Sequence, residues 1–306
     1  MAALRDLKRR VRSVRNTSQI TKAMEVVSAT KMRRSQGSAL AGRPYALSAL
    51  DILKNVSARV REKPALLEPR PVRHTLLLVL TSDKGLAGAF NANVARLAEH
   101  WIRDFKKKAF SVAVVGKKAR EYCTVRGITP LKVFTGFGDY VRMEDTAPLA
   151  RFLLKGYEDR RWDRVLVFYT NFRTTLRQEA RMVEVLPIRT DRIEETIQGI
   201  TPEYGKYALA RDAGETPYTY EYEFEPSPAE VFLRLLPTLF AIQMHHIVLE
   251  SNASEHSARM VAMKNASESA HDLMGALTIQ YNTLRQSGIT REIIEITSGV
   301  EALTGN

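Results

Sequence analysis

Apolar and small residues recur along one face of the C-terminal part of the chain, in steps that alternate between three and four residues. This spacing is typical of a heptad seam, along which one helix packs against another. The predicted helix begins at Pro228, where Ser227 and Glu230 form a capping box, and it ends near Ser298. About 70 residues at 1.5 Å each form a rod of roughly 100 Å, which no compact domain needs for its own core. The predicted seam consists of Leu239, Ile242, His246, Leu249, Ala253, His256, Met260, Met263, Ser267, Ala270, Met274, Leu277, Tyr281 and Leu284.

Residues 4–61 predict a second long helix, which is the expected partner of this seam. The segment Gly42-Arg43-Pro44 interrupts it, and we expect a kink or a restart there because proline inside a helix costs about 3 kcal/mol. We expect residues 1–62 and 227–298 to form an antiparallel coiled coil. The predicted stripe consists of Leu4, Leu7, Val11, Val14, Ile20, Ala23, Val27 and Thr30, and the seam is rich in small and hydroxylated residues, namely Ser13, Ser18, Thr21, Ser28 and Ala29.

Between the two helices, short apolar runs alternate with amphipathic helical stretches. This alternation predicts an open α/β sheet of the Rossmann-like type, inserted as residues 72–225. Residues 190–225 are polar and contain glycine and proline, which indicates a loop or an excursion that faces a partner. The predicted strands are 74–80, 110–115, 131–134, 164–169 and 181–188.

The charge of the chain is strongly basic, because lysine and arginine exceed aspartate and glutamate by 12. Residues 1–34 carry ten basic and two acidic side chains, so most of the excess lies in the first helix. Such a helix face is either simply solvated or docks on an acidic partner. The one cysteine excludes an internal disulfide and a cysteine-based zinc site. No apolar run approaches 18 residues, so we expect no membrane-spanning segment.

The glycine-containing turn 82–91 follows the first predicted strand, where a doubly wound sheet binds phosphate. However, Gly85 and Gly88 do not complete the dinucleotide-binding motif, and no P-loop is present. The turn is better explained as a tight connection that projects Lys84. The six histidines show no metalloprotease spacing, and no catalytic constellation or cofactor site is predicted. A nucleotide-binding α/β protein with helical arms remains the alternative from the enzyme class.

A basic helix that continues into a coiled coil is also found in basic leucine zippers, so DNA binding is a second alternative. Two features disfavour it. The coiled-coil partner lies in the same chain, which leaves no forked basic pair, and an inserted α/β domain has no role in that architecture.

Four stretches together resemble the gamma subunit of the F-type ATP synthase, namely residues 16–32, 82–91, 254–266 and 281–299. They occur in family order and cover both long helices and the first turn of the insert. The sequence departs from the family pattern at Ala87, where cysteine is usual, at Ser269, where asparagine is common, and at Val300, where alanine is usual. These departures affect contact details and remove no helix.

The resemblance implies a central rotor shaft that couples rotation of the c-ring to conformational change at the catalytic beta subunits. The implied partners are the hexameric ring of alpha and beta subunits, the epsilon subunit and the c-ring, with one copy of this chain and no nucleic acid. The subunit would carry no catalytic residue or cofactor and would lie peripherally on the cytoplasmic side of a bacterial plasma membrane. The first motif begins close to Met1, which favours a bacterial protein over an organellar precursor.

The resemblance also implies contact residues, carried over motif by motif. The first set would contact beta, and the second set would contact the c-ring and epsilon end. The first set is Met24, Lys84, Arg285, Gln286 and Thr290, and the second is Tyr222, Glu223 and Glu225.

Overall fold

The computed structural model describes residues 2–59, 64–104, 109–189 and 223–304. Its elements follow the predicted order, with a helix, an α/β segment and a second long helix. The helices are α1 (Ala2–Arg59), α2 (Phe90–Asp104), α3 (Lys117–Val125), α4 (Met143–Glu158) and α5 (Pro228–Thr304). The strands are β1 (His74–Leu80), β2 (Ala109–Val115), β3 (Lys132–Phe134), β4 (Arg164–Phe172) and β5 (Gln178–Leu186).

The strands form one sheet in the order β3-β2-β1-β4-β5. Strand β1 pairs in parallel with β2 and β4, β3 pairs in parallel with β2, and β5 runs antiparallel to β4 at the edge. Parallel strands that are covered on both faces have continuous apolar sequences, and β1 is buried from Thr75 to Leu80. The predicted open α/β sheet is confirmed, with an antiparallel edge strand added to a parallel core.

Alternate residues of β1 point to opposite faces of the sheet and enter two separate cores. Leu76 and Leu78 pack with α4 and with segments of α1 and α5 in the larger core. Leu77 and Val79 pack with α2 and α3 in the second core. The segments of α1 and α5 that lie within residues 28–259 are therefore structural parts of the sheet unit.

Two compact units divide the chain, and the division falls inside both α1 and α5. The sheet unit comprises residues 28–259, and the helical unit comprises residues 1–27 with 260–306. In the helical unit the hydroxyl oxygens of Ser18 and Ser267 lie 3.5 Å apart. Nearer the start of α1, Val11 lines a groove together with Tyr281. Residue numbers fall in α1 as they rise in α5, so the pairing is antiparallel, as predicted.

The predicted seam of α5 is confirmed through the described part of the helical unit as far as Tyr281. From Met260 to Tyr281, every predicted seam position is buried or half-buried. Leu284 is 46% exposed, so the prediction is wrong for this last position. The helix α1 begins at Ala2, so little of it extends past this level to cover the side chain.

The predicted stripe of α1 is wrong from Ile20 onward. Ile20 is 60% exposed, and Val27 is exposed as well, whereas Thr21 and Ser28 are buried. The six-residue step from Val14 to Ile20 turns about 120° away from the seam on a regular helix, whereas Ser18 and Thr21 stay within about 40° of it. The seam therefore continues through the hydroxylated residues Ser18, Thr21 and Ser28, as predicted, and it leaves larger apolar residues exposed.

Helix α1 does not restart at Pro44, because the helix runs without interruption from Ala2 to Arg59. Proline removes one backbone donor from a helix. Ala46, Leu50 and Leu53 follow immediately and are buried in the larger core. We attribute the continuity of the helix to this packing.

One described helix, α5, contains an 18-residue window that is apolar enough to cross a membrane by length and composition. This differs from the expectation drawn from unbroken apolar runs. More than half of the window is buried within the protein. Leu239, Phe240 and Met244 pack in the larger core, which accounts for the apolar composition of this part of the helix.

The antiparallel register predicts a specific crosslink. In a Cys123→Ser background, we expect Ser18→Cys and Ser267→Cys to form a disulfide on mild oxidation, because the two hydroxyl oxygens lie 3.5 Å apart. The matched pair Ile20→Cys and Ser267→Cys should stay reduced, because Ile20 faces solvent. Non-reducing electrophoresis distinguishes the products, and equal crosslinking of both pairs would contradict this register.

Candidate functional site

The turn between β1 and α2 is closed by its own first and last polar residues. The backbone N–H of Ser82 donates to Oδ1 of Asn91 at 2.9 Å, and Nδ2 of Asn91 donates to Oγ of Ser82 at 2.9 Å. The chain takes positive φ angles at Leu86 (62°) and Gly88 (55°). These contacts hold the loop in a tight arc and leave the Lys84 side chain 70% exposed.

Asp83 lies in the turn after β1 and places its carboxylate at the start of α3. Its Oδ1 accepts from the backbone N–H of Lys117, at the start of α3, at 2.9 Å. Its Oδ2 accepts from the N–H of Gly136 at 2.8 Å. A carboxylate at a helix N-terminus is favoured by the helix dipole, as a bound phosphate would be. The chain thus supplies its own anion at this helix end.

The space beside Asp83 is too small for a nucleotide. The cavity lined by Thr81, Ser82, Asp83 and Gly116 has a volume of only about 10 Å³. A methyl group at Gly116 would lie 2.2 Å from the carbonyl oxygen of Thr81, so the turn packs directly on this glycine. Among the described residues, no group of three or more His, Cys, Asp or Glu side chains is placed to hold a metal ion.

Arg259 of α5 reaches into the turn and binds its backbone. The Nε and Nη2 atoms of Arg259 donate to the carbonyl oxygen of Gly85 at 3.3 and 3.2 Å. Its Nη2 also donates to Oε1 of Glu255 at 2.6 Å, and both side chains are buried. Burial raises the pKa of Glu255 although Arg259 opposes the shift. This pair fixes the turn on α5.

His256, also on α5, contacts the loop that follows β3. Its Nε2 lies 2.9 Å from the carbonyl oxygen of Gly138, and its Nδ1 lies 3.3 Å from Nη1 of Arg259. Because arginine is only a donor, Nδ1 accepts, and the imidazole proton sits on Nε2. Burial lowers the pKa of His256 to about 4, so the ring is neutral at pH 7.

Asp139, in the same loop, brings together two lysines from different elements. Its Oδ1 accepts from Nζ of Lys31 on α1 at 2.7 Å, and its Oδ2 lies 3.4 Å from Nζ of Lys84. The hydrogen bond from Lys31 lowers the pKa of Asp139. Arg34 stacks over the Tyr140 ring at 4.0 Å. The loop is therefore held on α1 by Asp139 and Tyr140, and on α5 by Gly138.

A family model described as ATP synthase matches residues 3–303. The ATP synthase gamma chain of Roseiflexus castenholzii is 40% identical over 308 residues, and the match covers 99% of both chains. This chain belongs to the ATP synthase gamma chain family. The gamma chain of Chloroflexus aurantiacus is 38% identical, with a match that covers 99% of this chain and 100% of the relative. A gamma chain is a subunit of the synthase complex, which is associated with a membrane.

Solved structures agree with this fold. A chain of the Tetrahymena thermophila mitochondrial ATP synthase, described as central stalk and c-ring, matches with a TM-score of 0.57 and 25% identity. The match covers 81% of this gamma chain and 99% of that chain. A chain of the Euglena gracilis mitochondrial enzyme matches with a TM-score of 0.64 and 18% identity, covering 99% of this chain and 95% of that chain.

The contact residues carried over from the gamma family lie in both units. In the helical unit, Arg285, Gln286 and Thr290 are exposed on α5, and the Thr290 hydroxyl donates to the carbonyl oxygen of Gln286 at 2.9 Å. Met24 is half-buried on α1 in the same unit. Lys84 lies in the sheet unit, beside Asp139.

The second set of carried-over residues lies just before α5. Glu223 and Glu225 are exposed, and Tyr222 lies outside the described residues. The predicted loop 190–225 also lies outside them up to residue 222.

Sequence reasoning missed the side chains that hold the Lys84 turn in place. Asp83 and Arg259 lie inside the matched motifs, but no role was predicted for either. Asp139 lies in no recognisable motif. Its partners, Lys84 and Lys31, are 55 and 108 positions away in the sequence. The prediction that His246 and His256 pack within the protein agrees with the structure, where both are buried.

The two buried histidines predict a loss of stability in acid. Burial lowers the pKa of both His246 and His256 to about 4 from 6.5. Between these pH values the unfolded chain binds protons that the folded chain does not, so the free energy of unfolding falls as the pH drops. The expected loss is about 3 kcal/mol for each histidine. Urea unfolding at pH 7.5 and 4.5, followed by fluorescence of Trp101 and Trp162, measures it.

A matched pair of variants tests the origin of this acid effect. His256→Gln keeps a donor and an acceptor but does not titrate, so it should remove about half of the pH dependence. His271→Gln, at an exposed position, should keep all of it. An unchanged acid loss in His256→Gln would contradict the assignment.

Proposed function

We propose that this gamma chain is the central-stalk rotor of a proton-translocating F-type ATP synthase. In this role it couples rotation of the c-ring to conformational change at the catalytic beta subunits. The observation that carries the proposal is the match to ATP synthase gamma chains across 99% of both chains. The Tetrahymena thermophila chain described as central stalk and c-ring supports the same assignment.

The proposed partners are a hexameric ring of alpha and beta subunits, the epsilon subunit and the c-ring, with one copy of this chain. A shaft that turns needs a surface that adheres weakly to its surroundings. The exposed apolar side chains of Ile293, Ile294 and Ile296 near the end of α5 support this, because apolar contacts are not directional and form no hydrogen bonds to the surroundings. The excess of basic residues in 1–34 suits acidic partner surfaces.

The proposed beta contacts are Met24, Lys84, Arg285, Gln286 and Thr290, and the proposed c-ring and epsilon contacts are Tyr222, Glu223 and Glu225. Exposure of Lys84, Arg285 and Gln286 supports the first set, because these side chains are accessible to a partner. Exposure of Glu223 and Glu225 supports the second set in the same way.

The chain is proposed to carry no catalytic residue, so that ATP chemistry belongs to other subunits of the complex. The anion position at the start of α3 is filled by Asp83, and the adjoining cavity measures about 10 Å³. The complex is proposed to lie on a bacterial plasma membrane, with this subunit peripheral on the cytoplasmic side. The bacterial relatives support that location.

A double substitution, Arg285→Ala with Gln286→Ala, tests the rotor contacts. Both side chains are exposed, so the cost to folding should stay within about 0.5 kcal/mol each. Loss of a charge-assisted interface contact costs about 1.5–3 kcal/mol, so ATP hydrolysis by the reconstituted complex should fall at least several-fold.

The matched control is Lys264→Ala with Gln280→Ala, which removes one positive charge and one amide from exposed positions elsewhere on α5. Complex yield and ATP hydrolysis are measured for both double variants. Assembly should survive in both, and only the Arg285 and Gln286 variant should lose turnover. Unchanged hydrolysis in a fully assembled complex would refute these contact residues.

A further inference from the structure

A cavity of about 300 Å³ lies between α2, α3 and the face of the sheet that they cover. Val79 and Val112 form its floor. Small residues make the space, because Ala92, Ala95 and Ala98 of α2 line one wall. Ala119 and Cys123 of α3 line the other. A longer side chain at any of the α2 positions would occupy part of the gap.

The polar side chains around this cavity are satisfied by one another. Tyr122 donates its hydroxyl to Glu99 at 2.5 Å, and Arg126 donates to the same carboxylate oxygen at 3.1 Å. Lys118 pairs with Glu121 at 2.6 Å. No cavity-lining side chain in the described structure has a buried polar atom that lacks a hydrogen-bond partner. Lys118 and Arg126 also line the cavity, but their side chains are 38% and 52% exposed and each is already paired with a carboxylate. A charge placed among the alanine and valine side chains would be unpaired, which disfavours an ionic occupant.

We propose that this cavity binds a neutral, apolar small molecule of one or two rings. An apolar cavity of about 150 Å³ binds benzene, and the cavity between α2 and α3 is about twice that size. The alanine and valine lining gives contact without hydrogen bonds, which matches a hydrocarbon or heteroaromatic surface. This site goes beyond the rotor function, which requires no ligand between α2 and α3.

The chemical reactivity of Cys123 reports on access to the cavity. This residue is the one cysteine of the chain, it is buried, and it lines the cavity wall. Burial raises the pKa of its thiol, which keeps the reactive thiolate rare in the folded chain. A reagent that modifies Cys123 without unfolding must enter the cavity.

The experiment measures modification of Cys123 in the folded full-length chain by mass spectrometry, with Cys123→Ser as the blank. N-ethylmaleimide is the neutral reagent and a sulfonated methanethiosulfonate is the charged one, and each rate is divided by its rate in the urea-unfolded chain. The ratio of the labelling rate in the folded chain to that in the urea-unfolded chain should be larger for N-ethylmaleimide than for the charged reagent. Equal fractions for both reagents would mean that labelling proceeds through unfolding, and would overturn the proposal.

Indole and indole-3-carboxylate then test the chemistry of the ligand. Indole should slow labelling by N-ethylmaleimide saturably, with half-protection at about 1 mM, because a small apolar ligand gains affinity only from buried area. Indole-3-carboxylate should give no protection, because its charge would be buried unpaired. Absence of protection by indole, or equal protection by both compounds, would contradict a neutral apolar site.

Filling the cavity provides the structural control. Ala95→Leu should abolish protection by indole, and Ala92→Leu should do so from an exposed position where folding is not at risk. His100→Leu adds the same side chain at an exposed position of α2 outside the lining, and it should keep full protection. Protection that persists in Ala92→Leu and in any folded Ala95→Leu would place indole elsewhere and refute the site.

Discussion

Replacing Arg259 with alanine should lower the free energy of unfolding of the 28–259 unit by about 3–5 kcal/mol, because it leaves a buried carboxylate without its partner. Arg259 is 7% exposed, and it binds both Glu255 and the carbonyl oxygen of Gly85. Its loss also removes the hydrogen-bond donor of the carbonyl oxygens of Lys84 and Gly85 in the turn. Urea unfolding at pH 7.5, followed by tryptophan fluorescence, measures the effect, since both tryptophans lie in this unit.

Arg177→Ala is the matched control for Arg259. Arg177 lies 2.5 Å from Glu179, but its side chain is 74% exposed, so its removal should cost no more than about 1 kcal/mol. Adding Glu255→Gln to the Arg259→Ala variant should recover part of the loss by removing the buried charge. Similar costs for Arg259→Ala and Arg177→Ala would contradict the role given to burial.

The substitution Gly156→Ala should destabilise the same unit by about 3 kcal/mol or more, because the new methyl group would overlap a tryptophan ring. It would lie 1.9 Å from Cζ2 of Trp162. The ring is almost fully buried, and its indole N–H donates to the carbonyl oxygen of Leu153 at 3.1 Å. Trp162 therefore has no free space into which to move.

Gly37→Ala is the matched control for Gly156→Ala. Gly37 also lies in a helix of the same unit, and nothing comes within 4 Å of its added methyl group. This variant should be as stable as the original chain or more stable by up to about 1 kcal/mol, because alanine favours a helix over glycine. The same urea titration measures both, and a stable Gly156→Ala variant would contradict the packing described.

The sheet and the C-terminal helix were predictable because hydrophobic burial dominates both. Strand β1 is covered on two faces, so its sequence is continuously apolar. The apolar stripe predicted for α1 was wrong from Ile20 onward, whereas the hydroxylated seam residues Thr21 and Ser28, predicted beside it, are buried. Thr21 is buried, yet its hydroxyl donates to the carbonyl oxygen of Thr17 at 3.0 Å, which satisfies it within the helix. Ile20 is apolar but faces solvent, so hydrophobicity alone identified the wrong face.

The candidate site was predictable only where one motif contains the residue. Lys84 was singled out because the glycine-containing turn projects it, and its side chain is exposed in the structure. The contacts of Asp139 with Lys31 and of Asp83 with Gly136 join segments that are far apart in sequence. Their partners are set by strand order and by the packing of α1 and α5, which no local pattern contains.

Rotation of this chain inside the ring of alpha and beta subunits can be observed directly. The full chain, carrying Val125→Cys in a Cys123→Ser background, is assembled with alpha and beta subunits, and the ring is fixed to a surface. Residue 125 is 84% exposed, so a bead can be attached there. We expect continuous rotation of the bead in one direction when ATP is added and none without ATP. A ring that retains this chain and hydrolyses ATP while the bead stays still would contradict the account.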